Sequence, residues 1–106
     1  MSKYKYYSDT MIDTIAQLWT LACKSFGADY DGLHTRRLDC VFAKQSLWKI
    51  LHDHGWSDRQ IAKEMGFDRS TICHGRLSAE SSLKYIKGYK ERYQELERRF
   101  EDYLNK

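Results

Sequence analysis

Ser57-Asp-Arg-Gln-Ile-Ala-Lys-Glu-Met-Gly-Phe-Asp-Arg-Ser-Thr-Ile-Cys-His-Gly75 is the stretch on which the reading of this chain turns. Two short helices that cross at a steep angle need a small residue where their backbones approach, and Ala62 supplies it. They need a residue that accepts a left-handed turn, and Gly66 stands four positions later. An apolar side chain on the second helix must plug back into the first, and Ile72 is spaced to do so, with Ile61 and Met65 completing the inner face. Ser57 and Gln60 form a capping box, Ser57 accepting from first-turn amides and Gln60 reaching back. The spacing predicts a helix to Met65, a break at Gly66 and a second helix over about 68–77, that is, a helix-turn-helix over residues 57–77.

The same geometry assigns an outer face. With Ile72 and Gly75 inward, Ser70, Thr71, Cys73, His74 and Leu77 point away from the core, and Arg69 reaches forward from the first turn. A helix presented this way fits a DNA major groove, where arginine pairs with guanine and hydroxyls or the thymine methyl are read. Asp68 has two readings, a helix cap or an acceptor for a cytosine amino group. His74 reads as a phosphate contact or as an ordinary surface histidine. The motif as a whole could instead serve a protein partner, since fold does not dictate function.

Working outward, apolar residues recur every three to four positions and the chain contains no proline, which predicts an all-α single domain over 1–106. A basic, aromatic and flexible arm is expected over 1–8. The first helix is expected from Ser8 or Asp9 to about Lys24, with Ile12, Ile15, Trp19, Ala22 and Phe26 inward and Gly27 ending it. Residues 28–35 read as a turn or short helix. The next long helix buries Leu38, Val41, Phe42, Leu47, Trp48 and Leu51 and stops before Gly55. Arg36-Arg37 precede it as a backbone or minor-groove contact, and Lys44-Gln45 on it are candidates for phosphate contact or for solubility alone. A charged helix over 80–106 closes the chain, its seam at Tyr85, Tyr89, Tyr93, Leu96, Phe100 and Tyr103. That seam either packs on its own domain or joins two chains as a homodimer.

Composition bounds the rest. The chain has 106 residues, 42% hydrophobic and 31% charged, with net charge +3; this suits one globular domain and excludes a disordered or membrane-spanning chain. The basic excess sits in the middle: residues 34–76 carry eight Lys and Arg against five Asp and Glu, residues 1–33 three against four. With no signal peptide and an odd cysteine count (Cys23, Cys40, Cys73), a cytoplasmic protein with reduced thiols is expected, in association with the nucleoid if it binds DNA. His52-Asp53-His54 and Cys73-His74 do not place two ligands on one helix face, so no metal is expected. No other cofactor is expected, and the absence of a nucleophile–base cluster argues against an enzyme.

Residues 61–74, Ile-Ala-Lys-Glu-Met-Gly-Phe-Asp-Arg-Ser-Thr-Ile-Cys-His, resemble the signature of the C-terminal DNA-binding domain of the bacterial replication initiator DnaA. Thr14-Ile15-Ala16, Leu18-Trp19, Arg36-Arg37, Val41 and Lys44-Gln45 extend the likeness over roughly residues 11–77. The resemblance implies major-groove contacts for Asp68, Arg69, Ser70 and Thr71. It implies backbone contacts for Lys44, Gln45, His74 and the surroundings of Ser57 and Asp58. Arg69 stands where that family has histidine, and its minor-groove arginine aligns with Asp39, leaving Arg37 as a substitute. No phosphate-binding loop is present, so the ATPase of a full initiator is not expected; a standalone protein of phage or mobile-element type fits. Ser57-Asp-Arg-Gln with Thr71-Ile-Cys-His-Gly75 also resembles the Trp repressor family, which implies a dimeric transcriptional regulator.

Overall fold

The computed structural model describes the backbone of residues 2–105 and the side chains of residues 14–105. It is an all-α bundle: α1 (Ser2–Phe26), a 3-10 turn (Tyr30–Gly32), α2 (Leu38–Asp53), α3 (Asp58–Met65), α4 (Arg69–Tyr85) and α5 (Tyr89–Leu104). Among the described residues there is no strand.

α1 starts at Ser2 rather than at Ser8 or Asp9. Neither proline nor glycine interrupts residues 2–26, so nothing in the covalent chain stops the helix at the polar pair. Side chains of the arm expected over 1–8, and that of Ile12, lie outside the described residues. Ile15, Leu18, Trp19, Ala22 and Phe26 form the buried stripe, and Ala28 N–H bonds Cys23 O at 2.9 Å to close the helix end.

α2 is the central element. Cys40, Ala43, Leu47, Trp48, Ile50 and Leu51 retain at most 1% exposure. Leu38, expected inside, is 65% exposed: two residues before Cys40 places it about 200° round the helix from the buried stripe.

The expected helix over 80–106 is divided. Ile72, Gly75, Ala79 and Ser82 are buried at helical spacing, so α4 continues past Leu77 to Tyr85. Ile86 then turns extended at ψ 115 and Gly88 adopts φ 85 before α5 begins. The interruption takes Tyr85 out of phase with the seam, leaving it 81% exposed. Tyr89, Tyr93, Leu96 and Phe100 are buried: Tyr89 packs on Phe26 at 5.4 Å and Phe42 at 5.1 Å, and shares a hydrogen bond with Ser46. The seam is therefore used inside the chain.

Candidate nucleic-acid interface

α3 begins where Ser57 Oγ accepts from Gln60 N–H at 3.1 Å; the return bond expected from the Gln60 side chain is not made among the described residues. Gly66, at φ 77 and ψ 41, ends the helix, and the amides of Gly66 and Phe67 both bond Ala62 O at 2.9 and 3.0 Å. Such a φ strains any residue with a Cβ, which is why glycine stands there. The turn Gly66-Phe67-Asp68 leads into α4. Asp68 has extended N-cap geometry and its carbonyl accepts from Ile72 N–H at 3.1 Å. Its carboxylate makes no cap bond, so the capping expected of that side chain is not taken up; the group is exposed and free to accept elsewhere.

α4 is pressed into α2 by an absence. A Cβ at Gly75 would collide with Cε3 and Cζ3 of Trp48, so the two helices meet at van der Waals distance only because position 75 has no side chain. Ile72, one turn earlier, is fully buried, and both fix which face of α4 turns outward. Arg69, Ser70, Thr71 and His74 are exposed on that face. An open groove of about 670 Å³ runs between α4 and the start of α3, lined by Ser57, Asp58, Arg59, Arg69 and Cys73. A second of about 370 Å³ lies toward α2, with Gln45, Phe67 and Thr71 on its walls. Ser70 and His74 border both.

Two expected contact residues have other work. Asp58 is held by Arg76, whose Nε and Nη2 donate to its two oxygens at 2.8 and 3.0 Å, with His52 Nδ1 at 3.6 Å. The hydrogen-bonded Arg76 guanidinium holds the Asp58 carboxyl below its ordinary range against the opposing effect of burial, and Asp58 in turn raises Arg76. This bidentate pair ties the start of α3 to the middle of α4 and engages both oxygens of the Asp58 side chain within the fold.

Lys44 is the second of these residues, and it also lines the smaller groove. It is buried, and its Nζ donates to Leu33 O and Thr35 O, both at 3.0 Å. The ammonium lies 5.4 Å from the centre of the Phe67 ring, a cation–π distance, and burial lowers its pKa. Within the fold the ammonium is solvated by two carbonyls. It pins the 33–35 loop to α2, and His34 in that loop stacks on Phe67 at 4.6 Å. Arg36 and Arg37 thus leave from a loop fastened to the α3–α4 turn. Both are exposed; Arg37 Nη2 lies 3.3 Å from Asp39, a solvent-exposed pair too weak to withhold the guanidinium from a ligand.

The fold therefore brings together Ser57, Arg69, Ser70, Thr71 and His74 with half-buried Gln45 behind them, and adds Arg59, which the sequence reading passed over although it lies in the first turn of α3. Phe67, His34 and Arg76 were also missed; each acts through a partner far along the chain, for which periodicity gives no signal. Among the described residues no group of three His, Cys, Asp or Glu side chains could hold a metal ion, and no helix is long and apolar enough to cross a membrane. Comparison of the chain with protein families, curated proteins and solved structures found no match.

Proposed function

We propose that this chain binds double-stranded DNA through a helix-turn-helix formed by α3 and α4, with some sequence preference and without catalysing a reaction. The observation that carries the reading is the division of α4 into two faces. Ile72 is fully buried and Gly75 is pressed against Trp48 of α2, while Arg69, Ser70, Thr71 and His74 stand exposed on the first two turns. Side chains held on a rigid helix in this manner suit base-edge contacts in a major groove. In this reading Arg69 pairs with guanine, Ser70 and Thr71 read neighbouring bases, and the exposed Asp68 carboxylate accepts from a cytosine amino group. Arg36, Arg37, Arg59 and His74, with Gln45 and the amides at Ser57 and Asp58, hold phosphates. The likeness of residues 61–74 to the DnaA DNA-binding domain supports the same assignment and a role in replication or transcription, at the nucleoid. The likeness of residues 57–60 and 71–75 to the Trp repressor family supports a second reading, a dimeric transcriptional regulator binding duplex DNA through the same face.

Selection of bound duplexes from a randomised pool, followed by titration at two salt concentrations, tests the proposal. Arg69→Ala is expected to weaken the selected site by about 1–3 kcal/mol while leaving random duplex nearly unaffected. Equal losses on both would make Arg69 a phosphate contact. Weak, salt-insensitive binding to every duplex would instead point to a protein partner for this face.

A further inference from the structure

The end of α4 farthest from the candidate interface carries exposed side chains that make no ion pair or ring contact among the described residues. Lys84, Tyr85, Ile86, Lys87 and Lys90 occupy the corner between α4 and α5 and all are exposed, Tyr85 at 81% and Ile86 at 41%. From Ser81 to Lys90 the chain has no acidic residue. Among the described residues none of the three lysines takes part in an ion pair. Helix electrostatics accounts for only one of them: Lys84, in the last turn of α4, complements the negative end of that helix. Lys90 does the opposite, placing a cation in the first turn of α5, where the helix disfavours it. Tyr85 and Ile86 leave apolar surface in water with no return to the core. Departures from local rules that bring the fold nothing point to function.

We propose that this corner binds single-stranded nucleic acid. Tyr85 offers a ring face to an unpaired base, Ile86 packs beside it, and Lys84, Lys87 and Lys90 meet successive phosphates. A free-standing aromatic ring flanked by cations suits a single strand because a duplex keeps its base faces stacked on one another. Lysine point charges on phosphate, without arginine forks, make the contact tolerant of sequence. Ser70 and Tyr85 are separated by about 22 Å along the α4 axis, so the corner is a second surface, and the inference does not rest on the duplex-binding reading.

The test uses the whole chain and two fluorescent probes, an oligothymidylate of about 20 nucleotides, longer than one such site occupies, and a random-sequence duplex. The wild-type protein is expected to bind the oligothymidylate, and saturating unlabelled duplex is expected not to displace it. Tyr85→Ala should weaken oligothymidylate binding about tenfold through lost stacking, Tyr85→Phe should restore it, and Lys84→Ala with Lys87→Ala should weaken it and flatten its salt dependence. Duplex affinity should stay unchanged in all of them, while Arg69→Ala should leave the oligothymidylate unaffected. The proposal is overturned if the wild-type protein does not bind oligothymidylate, if Tyr85→Ala binds it as tightly as Tyr85→Phe, or if the corner variants weaken duplex binding equally. Loss of the duplex reading has a separate signature: no duplex binding by a protein that still holds the single strand.

Discussion

At Asp58 a carboxylate is bound to a guanidinium eighteen residues away, and the consequence is measurable as acid sensitivity. The side chains of Asp58 and Arg76 retain 16% and 21% exposure, so solvent screens the pair only in part. Replacing Asp58 by Asn removes one charge of a two-point bond and is expected to lower stability by about 1.5–3 kcal/mol at neutral pH. The sign with pH follows from the direction of the shift. The folded state holds the Asp58 carboxyl below its ordinary value of 3.8, so its contribution is complete above that value and disappears as pH falls through the lower folded one. Urea unfolding of both proteins over a pH series should show the gap between them closing below pH 3.8; a gap of constant size would mean the carboxylate charge is not what Arg76 holds. Gly75 makes a steric counterpart. Alanine is the better helix former by about 1 kcal/mol, but its methyl must displace the Trp48 ring. Overpacking of that kind costs about 1–3 kcal/mol, so Gly75→Ala is expected to lower the urea midpoint; a raised midpoint would mean that Trp48 yields freely. Neither Asp58 nor Lys44 could be assigned from sequence, because their partners are a distant arginine and two loop carbonyls, and no residue pattern announces either.

Among the helices, those whose ends are set by neighbours in the chain were legible and those set by tertiary packing were not. Ser57 as cap, Gly66 in the left-handed region and Ile72 buried were expected and are found, since each constraint acts within a few residues. The turn at 86–88 was not expected: Gly88 stands alone in a charged, tyrosine-rich stretch whose three-to-four spacing runs on without a break, and a single glycine there is compatible with an unbroken helix. What ends α4 is the return of α5 onto α1 and α2, a tertiary demand. The return has its own test. Leu96 is fully buried, so Leu96→Ala is expected to cost about 2–5 kcal/mol without altering the molecular mass seen by light scattering, which should be that of one chain before and after the substitution. A wild-type dimer that Leu96→Ala dissociates would show that the seam pairs between chains.

For the molecule as a whole, the distinction between charges that hold the fold and charges offered outward decides how the proposed duplex binding would respond to salt. Sequence concentrates the basic excess in residues 34–76, but the fold withdraws Lys44 and Arg76 from it into internal bonds. Arg36, Arg37, Arg59 and Arg69 remain exposed. If three of these four meet phosphates, the slope of log K against log salt is on the order of −3, at about 0.9 per phosphate neutralised. Arg59→Ala, at the edge of the larger groove, is then expected to weaken every duplex about equally and to reduce the slope by about one. Lys44→Met makes the contrast, since it carries the same formal loss of charge. Its ammonium meets carbonyls of the 33–35 loop rather than solvent, so it should leave the slope as it was, lower the thermal midpoint and reduce affinity only as far as the loop bearing Arg36 and Arg37 loosens. Titrating both variants at several salt concentrations separates the two kinds of lysine and arginine. A shallower slope for Lys44→Met with an unchanged thermal midpoint would return Lys44 to the surface and undo its assignment as the pin of the loop.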